Sequence, residues 1–207
     1  MTALSTYRNW IFDMDGTLTI AVHDFPKIKK ELGLPGDRGI LEVLAEMEPA
    51  EAAIINQRLD EIEHELARDA TPAHGAHEFL EALAAKNVRL GILTRNKRSH
   101  ALVTLQACGL LDFFDENYIL GREEADPKPS PEGISVLLEA WQVPAAKAVM
   151  AGDFRFDLEA GRAAGTCTVY IDPERKFPFR NLADVWVGSL KELMPMVSIS
   201  SGLSRFF

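Results

Sequence analysis

The chain of 207 residues is short of positive charge: 22 Lys and Arg stand against 31 Asp and Glu, a formal net charge of −9. That disfavours a nucleic-acid or anionic-membrane partner, because neither phosphate surface would be attracted overall. A small anionic substrate is still allowed, since local positive charge or a metal can hold one. Long hydrophobic runs are also missing. The opening MTALSTYRNW has no apolar core of signal-peptide length, and no later run is long enough to span a bilayer, so the expected location is the cytoplasm. There are only two cysteines, Cys108 in LQACGL and Cys167 in TCTVYI, and both read as buried structural thiols of a reducing compartment. Internal repeats and low-complexity tracts are absent.

With 47% hydrophobic and 26% charged residues, the composition is that of a globular protein with one sizeable core. Five short apolar runs have the character of parallel strands buried on both faces: NWIF, VRLGIL, NYIL, AVMAG and TCTVYI. Helical patterns separate the later ones. AHEFLEALAAKN puts Phe79, Leu80 and Leu83 on one stripe, SHALVTLQACG and PEGISVLLEAWQ behave likewise, and DLEAGRAAG has the small residues of close helix–sheet packing. Such alternation predicts an α/β fold, a doubly wound, Rossmann-like parallel sheet.

Residues 19–73 break the alternation. FPKIKKELGL and GILEVLAEM read as short helices, and PAEAAIINQRLDEIEHELARDA as a long one with Pro49 in its first turn and Ile55, Leu59, Ile62 and Leu66 on one face. The predicted organisation is therefore a discontinuous core, 1–18 with 74–207, and a small all-helical insertion, 19–73. At the far end, Pro195 is expected to terminate a helix, and Phe206 and Phe207 to dock on the core or a neighbour.

The stretch FDMDGTL places Asp13 and Asp15 on the same side of a strand end, where they repel. Ligands of doubly wound sheets bind beyond the carboxyl ends of the strands. Those ends carry Asp13 and Asp15, then Thr94, Arg95 and Asn96, then Asp153 and Asp157, with Lys128 in DPKPSPEG. Two like charges about 4 Å apart repel by roughly 4 kcal/mol at an effective dielectric of 20, so the gathered carboxylates call for a divalent cation. Hard oxygen donors suit Mg²⁺. Asp13 can then serve as nucleophile, and Asp15, its pKa raised by crowding, as general acid and base. Thr94 and nearby N–H groups can hold phosphoryl oxygens, Lys128 adds positive charge, and Gly16 lets the backbone approach the site.

These residues resemble the haloacid dehalogenase superfamily, in its phosphatase branch. DMDGTL is similar to its first motif, Thr94 in GILTRN to the second, Lys128 in DPKPSPEG to the third, and GDFRFDLEAGRAAG to the fourth, in the right order. The resemblance implies that Asp13 forms an aspartyl-phosphate and that Asp15 is the general acid/base. It implies Mg²⁺ ligation by Asp13, the Asp15 backbone carbonyl and Asp153, with Asp157 ordering the metal shell directly or through water. Thr94 and Lys128 would hold the phosphate, and the helical insertion would be a substrate-selecting cap. The implied substrate is a small phosphorylated metabolite, phosphoglycolate or a sugar phosphate, handled by a monomer or homodimer. The cap is shorter than in many relatives, and TIAVHDF departs from the usual pattern after the first motif.

Gly16, Arg95, Asn96 and Arg155 are further substrate-contact candidates, because they follow motif positions. His23 and Asp24 lie at the cap hinge, and Lys27, Lys29 and Lys30 form a basic cluster best read as a solvated helix face. His74 and His77 have a metal-like spacing but fit a helix start better. Three other functions compete. A mutase of the β-phosphoglucomutase type uses the same motifs but needs a cap that excludes water. A haloalkanoate dehalogenase lacks the second aspartate, which is present here. A silent scaffold would have no use for a destabilising carboxylate cluster.

Overall fold

A computed structural model describes residues 4–21 and 24–198. Its centre is a six-stranded, all-parallel sheet: β1 (Asn9–Phe12), β2 (Arg89–Leu93), β3 (Ile119–Leu120), β4 (Ala148–Gly152), β5 (Cys167–Ile171) and β6 (Val185–Val187), in the order β3-β2-β1-β4-β5-β6. Because β1 lies between β2 and β4, the chain order reverses beside it, which opens a crevice at its carboxyl end.

Helices cover both faces: α4 (Ala76–Ala84), α5 (Arg98–Ala107), α6 (Glu132–Trp141) and α7 (Arg155–Ala164). Alternation along the buried strand β1 divides the core. Trp10 and Phe12 join Phe79, Leu80 and Leu105 on one side, while Ile11 joins Leu137, Trp141 and Met150 on the other.

Between β1 and α4 the chain makes three helices, α1 (Phe25–Glu31), α2 (Ile40–Glu46) and α3 (Pro49–Arg68). Asp24 caps α1 by accepting from the Lys27 N–H at 3.1 Å, and Pro49 occupies the first turn of α3. The three share a small apolar core of Ile28, Leu32, Ile40, Leu44 and Leu59. The paths into and out of this insertion run side by side. Ile20 N–H donates to the Thr71 carbonyl at 3.0 Å, and Ala73 N–H to that of Leu18 at 2.8 Å.

Sequence and structure differ in three places. NYIL yields only a two-residue strand, because a turn of 3₁₀ helix takes up 116–118. The sixth strand has no strong sequence signal: it is three residues long at the sheet edge, and Trp186 at its centre is 48% exposed. Pro195 does not end a helix. It is the second residue of α8 (Met194–Ser198), where its missing N–H costs nothing. His23, Phe206 and Phe207 lie outside the described residues. No described helix is long and apolar enough to cross a membrane.

Candidate active site

The strand ends bring the carboxylates to one place. Asp13 directly follows β1, and its N–H donates to the Ala151 carbonyl of β4 at 2.8 Å, which fixes it between the two strands. The chain then turns sharply: the Met14 carbonyl accepts from the N–H groups of Leu18 at 2.9 Å and Thr19 at 3.0 Å. Gly16 is needed in this turn twice over. Its φ is +86°, and a Cβ there would come within 2.3 Å of the Asp153 carboxylate. Across the crevice, the Thr94 N–H bonds the Leu120 carbonyl at 3.0 Å, placing Thr94 at the rim of β2.

Lys128 is fully buried, and its ammonium bridges Asp13 Oδ1 at 2.6 Å and Asp157 Oδ1 at 2.7 Å. The other Asp157 oxygen accepts the Phe154 N–H at 2.9 Å. Asp157 is therefore engaged on both oxygens, whereas Asp13 makes no hydrogen bond through Oδ2 among the described residues.

Burial raises the Asp13 and Asp153 carboxyls well above the usual carboxylate range. For Asp13 the Lys128 ammonium opposes this, while Asp157 and Asp15 reinforce it; for Asp153 the charges of Asp13 and Asp157 add to it. Burial alone would lower Lys128, but its two carboxylate partners outweigh that and hold it charged. Asp15 is pushed up to about 6, first by burial and then by the charge of Glu63, against the Lys128 charge and the Asn96 hydrogen bond. Crowding was the expected cause; burial proves larger, and the neighbouring acid comes from α3 rather than from the other strand ends.

Oxygens of Asp13, Asp153 and Asp157 all lie within 4.8 Å of one another. Hard donors at that spacing, with carboxyls that resist ionising beside one another, fit a divalent cation. A second acidic group, Asp60, Glu63 and His100, has similar spacing. There, Lys97 at 2.9 Å from Asp60 and Arg122 at 2.8 Å from Glu63 already supply the positive charge.

The other candidates take several positions. Asn96 donates to Asp15 Oδ2 at 2.8 Å, so it bears on the acid itself. Arg95 pairs with Glu42 of α2 at 2.7 Å, bonds the Lys128 carbonyl, and lies over the Phe156 ring. Arg155 is exposed at the cleft, its guanidinium also over Phe156. Of the lysine cluster, Lys29 lines the cleft and donates to the Gly36 carbonyl at 3.0 Å. His77 bonds the Cys108 carbonyl at 3.1 Å and packs edge-on to Phe113, consistent with the helix-start reading. Cys108 and Cys167 are buried free thiols.

Two residues that sequence reasoning passed over stand at the same site. Arg122 lies two positions beyond β3 and donates through Nη1 to Glu63 Oε1 and Oε2 at 2.8 and 2.9 Å. A signal existed for both: Arg122 sits at a strand's carboxyl end, and Glu63 is an acid one helical turn from Leu59 on the buried side of α3. The pairs Arg122–Glu63, Arg95–Glu42 and Lys97–Asp60 tie the insertion to the sheet domain around a cleft of about 740 Å³. Asp13, Asp15, Thr94, Lys128, Asp153 and Asp157 all line it.

Residues 23–171 match the family model described as haloacid dehalogenase-like hydrolase. An uncharacterized hydrolase of Saccharomyces cerevisiae is 25% identical over 198 residues, covering 90% of this chain and 89% of the yeast protein. A phosphoglycolate phosphatase of Rhodospirillum rubrum is 36% identical over 95 residues, 46% of this chain and 39% of that protein. Among solved structures, a hydrolase from Pseudomonas syringae superposes with a TM-score of 0.77 at 23% identity, covering 94% of this chain and all of that one, and so shares the fold. With the family model spanning most of its length, the chain belongs to the haloacid dehalogenase-like hydrolases.

Proposed function

We propose that the protein is a Mg²⁺-dependent phosphatase that hydrolyses a small phosphorylated metabolite through an aspartyl-phosphate on Asp13. The observation that carries this is the Asp13–Lys128–Asp157 arrangement: a buried lysine bonded to one oxygen of the nucleophile at 2.6 Å, with the other oxygen left to the cleft. The partial likeness to a phosphoglycolate phosphatase supports the phosphoester class. Asp13, Asp153 and the Asp15 backbone would hold Mg²⁺, with Asp157 ordering its surroundings. Bound there, the ion supplies positive charge that lets the carboxylates ionise together and neutralises the phosphate.

Asp13 Oδ2 attacks phosphorus while Lys128 holds Oδ1 and keeps the carboxylate aimed. Thr94 and the N–H groups beside it hold the non-bridging phosphoryl oxygens. Asp15, with a pKa of about 6, donates its proton to the departing alkoxide and then takes one from the water that cleaves the acyl phosphate. The helical insertion acts as the cap over this chemistry, tied down by Arg95–Glu42 and Arg122–Glu63.

The test is phosphate release from a panel of phosphomonoesters with Mg²⁺ or with EDTA, for the wild type and Asp13→Asn. Turnover that needs both the metal and Asp13 is expected; metal-independent turnover, or none on any ester, would overturn the proposal.

A further inference from the structure

The Arg122 side chain is 8% exposed, and its guanidinium is only half used. Nη1 spends its hydrogens on the two Glu63 oxygens and reaches the Arg95 carbonyl at 3.3 Å. Nη2, also buried, has no hydrogen-bond partner among the described residues. A buried donor without a partner is costly, and a guanidinium suits the planar oxygen pair of an anion. Arg122 lines the same cleft as Asp13 and Asp15.

The charge of the cleft walls has the matching sign. Setting aside the floor formed by Asp13, Asp15, Lys128, Asp153 and Asp157, five cations (Lys29, Arg38, Arg95, Arg122, Arg155) face two acids, Asp37 and Glu63. A site built for a neutral sugar or alcohol has no need of that excess.

We propose that Arg122 reads a second anionic group on the substrate, so that the protein selects phosphomonoesters carrying a carboxylate or a second phosphoryl group. Arg122 is thus a specificity-determining residue. Glu63 and the Arg95 carbonyl fix its guanidinium through Nη1, and Nη2 is kept for the ligand. This rests on the phosphatase function proposed above and narrows its substrate.

The experiment compares kcat/KM for matched esters with Mg²⁺ present. A carboxylate arm sets phosphoglycolate against hydroxyethyl phosphate; a phosphoryl arm sets propanediol bisphosphate against hydroxypropyl phosphate. The wild type should prefer the dianionic ester of at least one arm by on the order of 10- to 100-fold, mainly through KM. Arg122→Gln should bring that ratio towards one, and Arg122→Lys, which keeps the charge, should retain part of it. A purely structural role would lower both members of a pair alike and leave the ratio standing. A wild-type ratio near one in both arms, with all esters turned over, overturns this inference and leaves the phosphatase function intact. Failure to turn over any ester overturns both.

Discussion

Lys128 places its ammonium 2.6 Å from Asp13 Oδ1 with both side chains out of solvent, and the same ammonium reaches Asp157 at 2.7 Å. One lysine thus balances two carboxylates that would otherwise repel in the interior, and it does so at the atom next to the proposed nucleophilic oxygen.

Lys128→Ala should therefore damage stability and activity together. Leaving buried charges without their partner costs about 3–5 kcal/mol. Urea unfolding of the metal-free variant should show a loss of that order, partly recovered by Mg²⁺, while kcat falls and phosphate binding weakens. An unchanged kcat/KM would remove Lys128 from the proposed mechanism.

Asp13→Asn should behave in the opposite way on stability. It removes one acid from the cluster, and Lys128 keeps Asp157 as its partner. Turnover should fall by at least about 10³-fold, while the metal-free melting temperature stays level or rises. Retained turnover would exclude Asp13 as nucleophile.

The raised carboxyls set a pH dependence. Asp13, Asp15 and Asp153 have folded-state pKa values above their ordinary 3.8, with Asp15 at about 6. Between the ordinary value and the raised one, the folded protein binds more protons than the unfolded chain. The stability these groups contribute is therefore full at low pH and is lost as pH rises through that window. Lys128, also raised, stays protonated in both states there and adds no slope. The metal-free melting temperature should fall across about pH 4 to 8, at most about 1.4 kcal/mol per unit for each group. Asp153→Asn should flatten the curve in EDTA, and Mg²⁺ should flatten it in the wild type; melting curves across that range check both.

Asn96 offers a narrower test of the acid. Its amide hydrogen bond to Asp15 favours the ionised carboxylate. Asn96→Ala should move the Asp15 pKa higher and shift the corresponding limb of the kcat/KM pH profile to higher pH. A limb left in place would mean that a group other than Asp15 titrates in the profile.

The parallel sheet was legible because Trp10–Phe12, Ala148–Gly152 and Cys167–Ile171 are near-continuous apolar runs, as strands buried on both faces must be. Asp13, Lys128, Asp153 and Asp157 were legible because their strand ends meet in any sheet of this winding. β6 was not, since half-exposed Trp186 interrupts its pattern at the edge. Arg122 and Glu63 were missed for a different reason. Each looks like a surface charge in its own segment, and only the docking of α3 over the end of β3 buries them against one another. The same docking raises Asp15 through Glu63, an effect between residues with no shared pattern in the chain.

The passage of the phosphoryl group through Asp13 is tested most directly by the stereochemical course at phosphorus, using an ester with an isotopically chiral phosphoryl group and following the released phosphate. Two in-line displacements, first by Asp13 and then by water, give overall retention, which is the expected result. Inversion would mean that water attacks the substrate directly and that Asp13 never carries the phosphoryl group.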